Sequence, residues 1–108
     1  MALRILLLTV LFACAAFSQA ARTATLVGTV TDPTGALVPG ATVRLTNVET
    51  GFVYNGVANA EGSYYVPFIA VGAYELRVEA AGFKAFVQKG VELRAAEVPR
   101  IDVKLEVK

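Results

Sequence analysis

The sequence predicts an all-β fold, a seven-stranded antiparallel sandwich of two packed sheets. Three observations predict it. Apolar and polar residues alternate with period two in a series of short runs, the pattern of strands buried on one face. Turn-forming residues separate those runs at the spacing a sandwich uses. No stretch sustains the period of an amphipathic helix.

The first run, TATLVGTVT, ends at Asp32. The stretch TDPTGALVPGATV (31–43) then packs two prolines, two glycines and one carboxylate together. Asp32-Pro33-Thr34-Gly35 places Asp, Pro and Gly where a type I turn favours them, and the Asp carboxylate can accept backbone N–H groups two residues on. Pro39-Gly40 fits the central pair of a type II turn, where glycine tolerates a positive φ. A phosphate-cradling loop would need a glycine-rich strand-to-helix junction followed by Lys and Ser or Thr. No helical pattern follows here and no lysine is near, so the stretch reads as turns.

The second run, ATVRLTNV, sets Val43 and Leu45 on one face and Thr42, Arg44 and Thr46 on the other. Glu49-Thr50-Gly51 turns the chain into FVYNGVA, and Asn59–Gly62 turns it again into SYYVPF. Asn55-Gly56 is a strong hairpin dipeptide that falls inside the third run. Placing the turn at 59–62 keeps the flanking runs similar in length, and a bulge at Gly56 would reconcile the two signals. Val71-Gly72 leads to AYELRVEA, with Tyr74, Leu76 and Val78 inward and Glu75, Arg77 and Glu79 outward. Ala81-Gly82 precedes FKAFVQKGVEL. The last run, RIDVKLEV, points Ile101, Val103, Leu105 and Val107 one way and Asp102, Lys104 and Glu106 the other.

The first 20 residues, MALRILLLTVLFACAAFSQA, differ from the rest. One positive charge, Arg4, precedes an apolar run from Ile5 to Phe17, and Ser18-Gln19-Ala20 supplies the small residues of a cleavage site. That is the layout of a secretory signal peptide, removed after Ala20. The run falls short of the roughly 18 residues a membrane span needs. A lipoprotein signal at Cys14 is the rival reading, weakened by bulky Phe12. The expected organisation is a signal at 1–20 and one sandwich domain at 21–108 of an exported protein, whether periplasmic, outer-membrane-associated or secreted.

Composition narrows the function. Without Arg4, nine of the ten basic residues remain against nine acidic ones. A domain with no net charge and no basic cluster is poorly suited to nucleic acid, where phosphate neutralisation dominates affinity. The chain has no histidine, and its one cysteine, Cys14, lies in the leader. Histidine–cysteine metal sites and serine or cysteine triads are thereby excluded. No cofactor is expected.

The spacing of these residues resembles the carboxypeptidase regulatory-like domains. The matching positions are Gly28, Val30, Asp32 and Gly35, then Pro39, Gly40, Ala41 and Val43. Asn59, Gly62 and Tyr64 follow, and Gly72, Tyr74, Leu76, Val78, Gly82 and Phe83 complete the pattern. The resemblance implies a Greek-key, transthyretin-like (prealbumin-like) sandwich grouped with carbohydrate-binding-like domains. It also implies a non-catalytic accessory role. Some members lie behind a signal peptide at the N-terminus of TonB-dependent-receptor-like outer-membrane proteins.

Candidate sites are few. Asp32, Asn59 and Glu61 could approach one another, but calcium needs six or more oxygens and no alternating run of carboxylates supplies them. Glu75 and Glu79 flank Arg77 on one face, and Lys104 stands between Asp102 and Glu106, so both sets read as solvated charge ladders rather than an acid pair. No catalytic residue is assigned. Tyr64, Tyr74 and Phe83 fall on the inward phase. Tyr54, Tyr65, Phe68 and Phe86 lie out of phase or near strand ends. Of these, Tyr54, Tyr65 and Phe68 are the candidate contacts for a partner domain, a cell-envelope component or a carbohydrate. Glycan binding requires that those three form one exposed strip.

Overall fold

The computed structural model describes residues 22–108. The signal-peptide reading and Cys14 lie outside the described residues. Seven strands form: β1 (Thr23–Thr31), β2 (Thr42–Asn47), β3 (Val53–Val57), β4 (Ser63–Ala70), β5 (Gly72–Glu79), β6 (Phe86–Leu93) and β7 (Val103–Lys104). They make a three-stranded sheet, β4-β1-β7, and a four-stranded sheet, β3-β2-β5-β6. None of the described residues forms a helix, and no helix among them is long and apolar enough to cross a membrane.

The alternation seen in the sequence is the burial pattern of the fold. Leu26 and Val30 from β1 meet Val43 and Leu45 from β2, and Leu76 and Val78 from β5, all fully buried. Tyr74, Ile69, Leu93, Val103 and Leu105 fill the rest of that layer. Among the described residues no polar or charged one is buried with them. Burying each such side chain contributes roughly 1.5–3 kcal/mol, which lets a domain of this size stand without a disulfide.

Four of the five strand pairs are antiparallel; β1 and β7 run parallel, with Val30 opposite Val103. The parallel pair arises because the segment after β6 returns along the free side of β1. Glu97 and Pro99 carbonyls accept from Thr25 and Val27. Arg100 bridges Val27 in the same parallel register, and Ile101 N–H donates to the Val27 carbonyl. Asp102 then takes the Thr29 N–H and the Tyr64 hydroxyl takes the Ile101 carbonyl, so the regular ladder resumes only at Val103. The last run is therefore shorter than its alternation suggests. Ile101, Val103 and Leu105 face inward as expected, but Val107 is exposed. The chain has crossed to the other sheet there, where Val107 bridges Phe83 and Glu106 accepts from Lys84 N–H.

Asn59–Gly62 is the β3–β4 turn, as the run lengths imply, and β3 passes through Asn55-Gly56 without turning. The bulge that would have reconciled the two turn signals at Gly56 does not form: β2 and β3 stay in register from Thr42↔Val57 to Thr46↔Val53. Gly56 is needed for space instead. A Cβ there would lie 2.9 Å from Val66 Cγ2 of the facing sheet, so the residue sets how closely the layers approach. Register shifts occur at two other places, on β4 opposite Ala24–Leu26 and on β6 opposite Tyr74–Leu76.

Candidate functional site

The turns that carry the sequence motif are closed by their own side chains. Asp32 Oδ1 accepts from Thr34 Oγ1 at 2.6 Å, Thr34 N at 2.8 Å and Ala36 N at 3.0 Å. The Thr34 hydroxyl, with the backbone amides of Ala36, Thr34 and Gly35, holds that carboxyl below its ordinary range. Asn59 Oδ1 accepts from Glu61 N and Ser63 N, each at 3.0 Å. These oxygens are occupied by the turns that they cap, and among the described residues no cluster of metal-ligand side chains gathers around them.

The charged faces are likewise paired locally. Arg77 Nε donates to Glu79 Oε1, and this bond and the guanidinium charge hold Glu79 below its ordinary range. Asp102 Oδ1 accepts from Thr29 Oγ1 at 2.8 Å and from Thr29 N at 3.0 Å, with Arg100 3.2 Å away. The Thr29 hydroxyl is the main cause of its lowered pKa. Both ion pairs are solvent-exposed, where such pairs are worth little, and neither faces a cleft with a second carboxylate poised as an acid.

The aromatic residues are arranged differently. At the end of the sandwich where β4 passes to β5, the rings of Phe52 and Tyr54 meet edge to face at 4.9 Å. Tyr54 and Tyr74 meet likewise at 6.0 Å. Both tyrosines grip one residue's backbone: Ala70 N–H donates to the Tyr54 hydroxyl at 3.1 Å, and the Tyr74 hydroxyl donates to the Ala70 carbonyl at 2.6 Å. Burial pushes the Tyr74 hydroxyl pKa up. The β2–β3 turn alongside is fixed by Asn47, whose Oδ1 accepts from Glu49 N at 2.9 Å and Thr50 N at 3.0 Å. Between turn and strands lies an open groove of about 620 Å³, walled by Asn47, Glu49, Phe52, Tyr54, Val71 and Tyr74. Phe52 is 60 % exposed over it. A second groove, of about 570 Å³, at Thr42, Arg77, Glu79, Phe83 and Lys108 holds the Arg77–Glu79 pair and no exposed ring.

Tyr54, Tyr65 and Phe68 do not form one strip. Tyr54 is half-buried against the core in the four-stranded sheet. Tyr65 and Phe68 belong to β4 of the other sheet, where they are 65 % and 79 % exposed. Tyr65 stands opposite Val27. Phe68 occupies the β4 register shift with φ +57°, a left-handed conformation that is costly for a bulky side chain. Tyr64 and Tyr74 are buried as their phase implied, and Phe83 and Phe86 are partly buried against the core. Phe52 precedes its strand, outside the alternation, so periodicity does not single it out; its place beside Gly51 in a turn is the available signal.

A two-sheet sandwich with a glycine-rich first turn and a tyrosine-lined core defines a small β-sandwich domain. The model of the carboxypeptidase regulatory-like domain matches residues 25–106, and the chain belongs to that family. It is 32 % identical over 97 residues to the TonB-dependent transporter Oar of Myxococcus xanthus, covering 88 % of this chain and 9 % of that protein. Among solved structures, a putative carbohydrate binding protein from Bacteroides uniformis superposes with TM-score 0.62 at 21 % identity, over 77 % of this chain and 41 % of that one. Chlorocatechol 1,2-dioxygenase from Pseudomonas putida gives 0.64 at 14 % identity, over 79 % of this chain and 60 % of that one. At such identities the two structures share the fold alone.

Proposed function

We propose that this domain is a non-catalytic interaction module of an exported, outer-membrane-associated protein, and that it engages its partner through the Phe52–Tyr54–Tyr74 end of the sandwich. One observation carries the reading: an exposed ring, Phe52, stands over a preformed groove whose walls are fixed by the Asn47 turn and the Ala70 clamp. Preorganised walls and an aromatic anchor are what a docking site needs, because little side-chain freedom is lost on contact. The similarity to a TonB-dependent transporter, of which this chain spans less than a tenth, supports placing the partner in the same polypeptide or in the cell envelope. Tyr65 and Phe68, exposed on β4 of the other sheet, are a separate aromatic surface.

The test is a photo-crosslinking residue at position 52, with position 65 for comparison, in cells that make the protein. A discrete envelope-protein adduct, or an intramolecular one, is expected at position 52. Only diffuse products there would sink the reading.

A saccharide ligand is the second reading, favoured by the exposed Phe52 face beside the amide, carboxylate and hydroxyl of Asn47, Glu49 and Thr50. Sugar rings stack on aromatic faces while polar neighbours meet their hydroxyls. Titration of a soluble polysaccharide panel decides it, and heats that are flat and unchanged by Phe52→Ala would end it.

A further inference from the structure

We propose that β3 is a self-pairing edge, through which two copies of this chain associate as an antiparallel pair with Asn55 on the two-fold axis. The sandwich exposes four strand edges, on β4, β7, β3 and β6. Unpaired edges invite strand addition, and proteins blunt them with prolines, bulges, charges or short length. Three of the four are blunted here. β4 carries Pro67 and the shift at Phe68; β7 is two residues long; β6 carries Lys89 and a register shift beside Gly90. β3, VYNGV, has no charge, no proline and no shift against β2.

The hydrogen-bond phase of β3 leaves its edge open. Asn47 N donates to Phe52 O and Ala58 N to Ala41 O. The alternation of an antiparallel ladder therefore turns Tyr54 and Gly56 backbone groups toward β2 and those of Val53, Asn55 and Val57 outward. Among the described residues, none of those outward groups has a backbone partner. The Val53, Asn55 and Val57 side chains are also exposed.

The occupant follows from symmetry. Val53, Asn55 and Val57 read the same in either direction, so an antiparallel copy centred on Asn55 places Val53 opposite the partner copy's Val57. Tyr54 then faces Gly56 of the partner copy. Every outward group finds its mate, giving about six interchain backbone hydrogen bonds, and no like charges meet. A one-residue slip would set outward groups against inward ones and lose the bonds. This self-complementary, isologous geometry closes at two copies. It stands apart from the groove reading and survives that reading's failure.

Sedimentation velocity over a range of concentrations, with variants checked for fold by circular dichroism, tests the pairing. The wild-type chain is expected to show a reversible monomer–dimer equilibrium. Asn55→Lys, which sets two ammonium groups across the axis, is expected to weaken it by about tenfold or more, whereas Gln88→Lys on β6 leaves it unchanged. In a Cys14→Ser background, Asn55→Cys is expected to form an interchain disulfide on mild oxidation, because paired Cα atoms lie about 5.5 Å apart. Val87→Cys is the comparison. A chain that stays monomeric, a dimer indifferent to Asn55→Lys, or equal cross-linking at 55 and 87 would overturn the proposal.

Discussion

The Tyr64 hydroxyl donates to the Ile101 carbonyl across the three-stranded sheet, in the space left by Gly28. A Cβ on Gly28 would overlap the Ile101 oxygen and come within 2.7 Å of the Tyr64 hydroxyl. The bond ties β4 to the returning C-terminal segment, which β1 holds by few ladder bonds. Tyr64→Phe is expected to destabilise the domain by about 1 kcal/mol, read as a lower denaturation midpoint with unchanged slope. A destabilisation indistinguishable from zero would show that the bond contributes nothing.

The same hydroxyl gives the domain an alkaline limit. Burial, then the nearby Asp102 charge, pushes the Tyr64 pKa up to about 12 from 10.0. A raised folded-state value means the unfolded chain loses its proton first. The contribution is therefore intact below pH about 10 and is lost as pH rises toward 12, on the order of 2 kcal/mol in all. Equilibrium unfolding at stepped pH should show this loss in wild type and a shallower one in Tyr64→Phe.

Asp32 and Asp102 set the acid side. Both carboxyls are held low by their hydrogen bonds, so their contribution is present above the unfolded carboxylate range. It is lost as pH falls below about 4. Asp32→Ala and Asp102→Ala should each be less stable than wild type at neutral pH, with the gap narrowing in acid. A gap independent of pH would refute the linkage.

Gly56→Ala is expected to cost about 1–3 kcal/mol, since the new methyl meets Val66 and β-branched side chains do not swing aside. Val66→Ala costs stability alone by opening a cavity, yet in the double variant it should recover part of the Gly56→Ala loss. Strictly additive losses in the cycle would mean the two residues do not share that space.

Phe68→Gly should stabilise the domain by about 1 kcal/mol, because it removes a left-handed phenylalanine whose ring buries little. If Phe68 belongs to the partner surface, the same change weakens partner cross-linking. Thermal unfolding and adduct yield measured side by side separate the two effects.

Much of the fold was legible because sheet burial has a period of two, and that period is written directly in the residues. AYELRVEA became β5 with Tyr74, Leu76 and Val78 fully buried, and the Asp32 and Asn59 turns closed as their side-chain chemistry requires. Where alternation ran past the core, as at Val107, it misled: period two marks burial only while the strand lies against the facing layer, and by Val107 the chain has crossed to pair with Phe83. Gly56 looked like a hinge because Asn-Gly favours a tight turn, but its function is clearance for Val66, a residue of the other sheet.

The candidate site divides along the same line. Local sequence was enough to assign β1 to β6, the capped turns and the family, since each rests on periodicity, on contacts within a few residues or on spaced motif positions. Tertiary structure alone decided that Phe52, Tyr54 and Tyr74 gather at one end while Tyr65 and Phe68 lie on the other sheet. It also decided that β3, among four edges, was left open. Those outcomes depend on which strands become neighbours and on which way each backbone group turns, and residues far apart in the chain fix both.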